Sequence, residues 1–414
     1  MAATIGNTIG AGILRTPGEI AQHLRTPWLF MSVWIAGGLY ALLGALSLAE
    51  LGAMIPKSGG QTVFVRRALG GYAGFVVGWS DWISTCASTA LISLVIGEYT
   101  GILLPGAPAD ALLALLVALG FGLLHARGVR LAGQTQIVTS AAKAIAFLLL
   151  ILACFLLGGA KPSVATTDTG LSALGVVLAL QAVIYTYDGW TGPIYFSEEV
   201  RDPGRDIPRA MVAGVLAVMA IYLLTNAGFL YVLPLEQMAG QPLVAATAAN
   251  TIFGARGELI IRLLTIVSML SAINALTLMA PRVLYALGDR GLIPSARRVD
   301  ERGTPVVALA VSTVVTAAII ATGTVQTVIA LAAFFFVANY ALSFLSQIVL
   351  RRREPETARP YRTWGYPWTT VIVLAGSLAF LVAAVSADTR TAVYSIGLLG
   401  LSYPAYLLLK RRTA

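Results

Sequence analysis

Apolar residues occupy this chain in long stretches parted by short segments where Arg, Pro, Gly and Asp collect. The apolar positions do not alternate with polar ones as in a half-buried strand, and they fill every face of a helix instead of one stripe. A bilayer core of about 30 Å is crossed by roughly 20 such residues in helical form. The pattern predicts twelve transmembrane helices, at 1–24, 28–51, 70–98, 110–125, 135–157 and 171–196 in the first half. In the second half they fall at 211–233, 258–287, 305–322, 327–350, 367–386 and 392–409. The expected fold class is all-α and integral to the membrane, in a single polytopic domain.

Composition supports that reading, with 57% hydrophobic and only 11% charged residues, against about 25% charged in a soluble domain. The net charge of +9 is divided among short loops. It forms no continuous basic patch, so nucleic acid is not an expected partner. Of 28 basic residues, 21 lie on one set of loops and the C-terminal tail. Cytoplasmic loops accumulate Lys and Arg, so both termini are expected in the cytoplasm of a cell-membrane protein. Only nine residues precede the first glycine break, which suggests a true start upstream of Met1.

Two predicted spans carry interruptions. In the first, Asn7-Thr8-Ile9-Gly10-Ala11-Gly12-Ile13 places small residues where a helix can unwind. In the sixth, Tyr185-Thr186-Tyr187-Asp188-Gly189-Trp190 sets a carboxylate and a glycine inside an apolar run. Broken helices five spans apart mark transporters built from two inverted five-helix repeats, with the ligand at the breaks. Freed amides at a half-helix N-terminus bind an anionic group and freed carbonyls accept from a cation. The amides of Ala11, Gly12 and Ile13 are therefore assigned to a substrate carboxylate, and the carbonyls of Thr8 and Tyr187 to its ammonium. The alternative is that these are packing glycines, which are common between membrane helices.

Gly10-Ala11-Gly12-Ile13 resembles the glycine-rich first-helix motif of the amino acid-polyamine-organocation superfamily. Ala49-Glu50-Leu51-Gly52 with the following Ile55-Pro56-Lys57-Ser58-Gly59-Gly60 is similar to the end of the second helix in its L-type amino acid transporter branch. Tyr187-Asp188-Gly189-Trp190, Glu198-Glu199-Val200-Arg201-Asp202-Pro203 and Ile207-Pro208-Arg209-Ala210 resemble its sixth helix and next loop, and Arg282–Gly291 the end of its eighth. The resemblance implies a five-plus-five inverted repeat, with 1–157 and 171–350 as the two halves and 367–409 as two added helices. It implies sodium-independent amino acid transport by alternating access, as an exchanger or proton symporter. A polyamine or organic-cation permease and a channel are the rival readings.

The resemblance also assigns roles. Tyr185 matches an aromatic that gates the substrate, and Asn274 a contact or an interhelical hydrogen bond. Lys143 matches a fifth-helix lysine standing where relatives hold sodium; snorkelling to the interface is its alternative. Asp188 belongs with carriers that also take cationic amino acids, unless it only caps a half-helix. Arg15 and Glu19, four apart, suggest an intrahelical pair, and Glu50 and Glu98 structural roles near helix ends. The segment 234–257 is a candidate outer lid. His23 and His125 have no metal-ligand spacing, and neither a nucleophile elbow nor a phosphate loop is present, so no enzyme activity, metal or cofactor is expected. Cys86 and Cys154 both fall in apolar spans and are read as packing residues. The resemblance implies pairing with a single-span glycoprotein through a cysteine between spans three and four, and 99–109 contains none, so no disulfide-linked heavy subunit is expected; the expected state is a monomer whose partners are an amino acid and the lipid bilayer.

Overall fold

The computed structural model describes residues 8, 10, 12–57, 59–103, 110–126, 145–160, 172–289, 296, 298–300, 303–322, 325–387 and 389–411. Among these the chain is helical, and the one β-type pairing is an isolated bridge between Val299 and Pro305. The first half contains α1 (Gly12–His23), α2 (Pro27–Met54), α3 (Gly60–Leu69), α4 (Gly71–Leu103) and α5 (Asp110–Ala126). These are followed by α6 (Ile145–Leu157) and α7 (Ala173–Tyr187). A 3-10 helix at Gly192–Glu199 leads into α8 (Pro203–Val232), the short α9 (Leu235–Met238) and α10 (Val244–Phe253). The remainder is α11 (Ala255–Asp289), α12 (Val306–Thr322), α13 (Val325–Arg353), α14 (Trp368–Ala387), α15 (Thr389–Gly400) and α16 (Ser402–Arg411).

Local chemistry sets the boundaries. Pro27 and Pro203 open α2 and α8, where a missing N–H costs nothing. Ser172 caps α7 by accepting from the Gly175 amide at 3.0 Å. Gly70, at φ +98°, turns the chain between α3 and α4. Among the described residues, seven helical stretches are long and apolar enough to cross a bilayer, and α5, α6, α7, α10 and most of α12 add five shorter apolar ones. This is a multi-pass membrane fold.

Two elements differ from the sequence expectation. The residues between the second and third predicted spans form α3, with Val63, Phe64, Val65 and Ala68 turned inward and Arg66 and Arg67 exposed. Ten residues are too few to span, so a hydropathy reading passes over the helix. Arg67 pairs with Glu354, beyond the end of α13, at 2.7 Å and holds that carboxyl below the usual carboxylate range. The last predicted span is divided at Leu401 between α15 and α16.

Helix α4 is the central post, packed against α3, α5, α11, α12 and α13. It is also rich in hydroxyls. Ser84 and Thr85 donate to Asp81 O, Thr89 to Thr85 O and Ser93 to Thr89 O, at 2.7–2.9 Å. Each buried hydroxyl is thus satisfied within its own helix, which lets a polar sequence sit inside the bundle. At one end of the bundle Glu50 on α2, 1% exposed, accepts both nitrogens of the Arg351 fork at 2.8 and 2.5 Å and the Thr363 amide at 2.8 Å. That carboxylate ties α2 to α13 and to the segment between α13 and α14.

Candidate functional site

Thr8 is helical, Gly10 lies in a bend, and α1 begins at Gly12. A side chain at Gly12 would place its Cβ 2.8 Å from Thr186 Oγ1, so only glycine lets α1 approach α7 here. One turn on, Thr16 Oγ1 lies 2.7 Å from Thr186 Oγ1. Thr186 gives its own proton to Ala182 O, which leaves Thr16 as the donor.

Helix α7 stops at Tyr187. The Asp188 amide folds back to Tyr185 O at 3.2 Å, and Gly189 adopts φ +107°, a left-handed value that costs glycine little and other residues much. The two interruptions are joined by Tyr222 of α8, whose hydroxyl donates to Thr8 O at 2.6 Å and to Thr186 O at 3.0 Å. Opened backbone inside a membrane protein persists where it lines a cavity or is buried, and a cavity of about 80 Å³ lies here.

Its walls have two characters. Thr8, Gly10, Gly12, Arg15, Thr16 and Glu19 form one side, and Tyr185, Thr186 and Asp188 the next. The opposite wall is largely apolar, made by Leu91, Ile92 and Val95 with Ser88 from α4, Ala272, Ala275 and Leu276 from α11, and Ile329 from α13. An amphipathic solute with a charged head and an apolar body matches that division.

Of the residues expected to contact substrate, Thr8, Gly10, Gly12, Tyr185 and Asp188 line this cavity. Ile13 buries its side chain in the core, 0% exposed, so what it can offer a substrate is its main-chain amide. Tyr187 is turned toward α2, donating to Trp34 O at 3.2 Å, and Gly189 serves the chain reversal. Asn274, 0% exposed, sets its Oδ1 2.9 Å from His125 Nε2 and so links α11 to α5 without reaching the cavity. Ala11 and Lys143 lie outside the described residues. The Thr8 carbonyl, assigned to an ammonium, already accepts from Tyr222.

The Arg15–Glu19 pair is also replaced. Arg15 Nη1 reaches Glu98 Oε2 on α4 at 2.8 Å, because bundle packing brings the two helix ends together. Sequence reasoning missed Thr16, Ser88 and Thr186 as well as the apolar wall. For Thr16 a signal existed, since it falls one helical turn after Gly12 on the same face. For the α4 and α11 residues nothing distinguishes the cavity face from the others.

Beyond the α7 break aromatic side chains tie neighbouring helices together. Tyr340 of α13 donates to Asp188 Oδ1, and its ring packs on Trp190 with centroids 4.9 Å apart. Tyr195 on the 3-10 helix donates to Asp81 Oδ2 of α4 at 2.7 Å. In the other direction a wider cavity of about 590 Å³, lined by Gln22, His23, Glu98, Gln181 and Gln241 among others, shares Arg15, Glu19 and Ile329 with the narrow one. The segment 234–257 rims it. Gly240 donates to Gly18 O of α1 at 2.9 Å and Tyr99 of α4 to Pro242 O at 2.5 Å, so the segment rests on α1 and α4. Cys86 and Cys154 are buried and free. Among the described residues no cluster of His, Cys, Asp and Glu could hold a metal ion.

The sequence matches the amino acid permease family over residues 1–399. The serine/threonine exchanger SteT of Bacillus subtilis is 27% identical over 99% of this chain and 95% of its own length. Asc-type amino acid transporter 1 of Mus musculus is 29% identical over 86% of this chain and 70% of its own. The b(0,+)-type amino acid transporter 1 of Mus musculus is 28% identical over 93% and 81%.

Proposed function

This chain belongs to the amino acid permease family, and from that premise we propose that it exchanges amino acids across the membrane without sodium, by alternating access. The observation that supports this most directly is the meeting of two interrupted helices, at Gly10 and at Asp188-Gly189, around one cavity. The α1 amides at Gly12 and beyond take the carboxylate, with the N-terminal end of the helix dipole behind them. The ammonium is held at the α7 end by freed carbonyls and by Asp188. The side chain lies against Leu91, Ile92, Ala275 and Leu276, which suits neutral amino acids, and Asp188 extends the range to cationic ones.

In this reading 1–157 and 171–350 are the inverted repeats, and 367–409 is the added pair of helices. Lys143 supplies the positive charge that sodium supplies elsewhere. Both termini are cytoplasmic, so the wide cavity faces outward, and the chain carries no disulfide-linked partner because both of its cysteines are buried.

Counterflow tests the proposal. Purified protein in sodium-free liposomes preloaded with one amino acid should accelerate uptake of a labelled one, and a screen of the twenty amino acids ranks them. Uptake that is indifferent to preloading, or that requires sodium, would sink it.

A further inference from the structure

The narrow and wide cavities meet at Arg15, Glu19 and Ile329. Arg15 and Glu19 stand four apart on α1, where Cβ atoms are about 5–6 Å from each other on one face. Arg15 commits one nitrogen to Glu98, and a guanidinium has five N–H donors in a planar fork suited to a carboxylate. Donors therefore remain. Glu19 makes no hydrogen bond or ion pair with any described residue, and Arg15 is the charged residue on its own face of α1. The junction thus offers a fixed cation beside an anion whose acceptors no described residue occupies, only partly exposed, where charge interactions are stronger than at an open surface.

We propose that Arg15 and Glu19 form a transit subsite for an α-amino acid zwitterion at the neck between the two cavities, Arg15 taking its carboxylate and Glu19 its ammonium. Glu98 holds the Arg15 fork in position and competes with the arriving carboxylate. The subsite rests on the transport reading above and adds to it a station ahead of the helix breaks. An amino acid reaching it stays paired at both charged ends while it leaves water.

The test is sided. Exchange of radiolabelled L-serine and L-leucine is measured in right-side-out and inside-out vesicles. Arg15→Gln and Glu19→Gln should each raise the apparent KM from the wide-cavity side about tenfold, the worth of one charge-assisted hydrogen bond. The KM from the opposite side should rise less, and an unchanged melting temperature in detergent shows that the variants fold. Glu98→Gln should lower the wide-cavity KM, since the competitor is gone, and Arg15→Lys should recover part of the loss. Serine methyl ester, which lacks the carboxylate, should compete less well after Glu19→Gln and unchanged after Arg15→Gln.

Equal rises in Arg15→Gln and Glu98→Gln would make the pair a structural brace and overturn the subsite. So would equal changes on both sides, or wild-type exchange with no change in any variant. A wild-type chain that exchanges none of the twenty amino acids refutes the transport reading, and the subsite with it.

Discussion

Tyr222 offers the sharpest test of how the two broken helices are held together. Its ring is 0% exposed and packs edge-on against Trp34, with centroids 5.8 Å apart, and against Tyr187 at 5.0 Å. Tyr222→Phe keeps that packing and removes only the hydroxyl shared by Thr8 O and Thr186 O. Leaving a buried acceptor without its donor costs about 1–3 kcal/mol. If the bound arrangement depends on the two carbonyls staying together, that energy is about 5- to 150-fold in substrate affinity. The assay is counterflow KM beside thermal unfolding in detergent. Tyr187→Phe is the control, since its hydroxyl serves Trp34 O at 3.2 Å outside the cavity. Tyr222→Phe is expected to raise KM at least about fivefold and Tyr187→Phe less than about twofold. Equal effects of the two, or no effect of the first, would refute the idea that this hydroxyl couples the breaks.

Three further outcomes follow from the geometry. Asp188→Asn should weaken lysine and arginine uptake more than leucine or alanine uptake, by about tenfold in relative KM if the carboxylate meets a cationic side chain; uniform losses would remove the specificity role. Glu50→Gln strands the Arg351 fork against a nearly inaccessible neutral group, and should cost about 3 kcal/mol in detergent thermal stability, whereas an unchanged melting temperature would show the clamp to be idle. Gly18→Ala sets a Cβ 2.1 Å from Gln241 O, a main-chain atom with no rotamer to yield, so the segment over α1 must shift; exchange should slow and protease sensitivity near Gly240 should rise, and wild-type behaviour in both would dismiss its contact with α1.

The sequence disclosed what depends on local chemistry. Long apolar runs with few charges read as membrane helices, and Gly10 and Asp188-Gly189 announce breaks because glycine lets the backbone unwind and a carboxylate is costly inside the membrane. What it withheld depends on which face meets which. Leu91, Ile92 and Leu276 look like dozens of other aliphatic residues, and only packing turns them toward the cavity. The i,i+4 rule suggested Glu19 for Arg15, but Glu98 lay closer once α4 was in place. Asn274 sits on the helix expected for a substrate contact, yet His125 claims its amide.

Of the seven long apolar stretches among the described residues, the one in the central post α4 has the lowest mean hydropathy, and 94% of its most apolar part is covered by protein. A segment of that kind gains little by partitioning into lipid on its own and gains most from neighbours already present. During biogenesis it must therefore enter the membrane beside the helices that will enclose it. Substitutions that weaken α4 contacts will be felt first as failed insertion and lower yield, before any purified protein is available to assay.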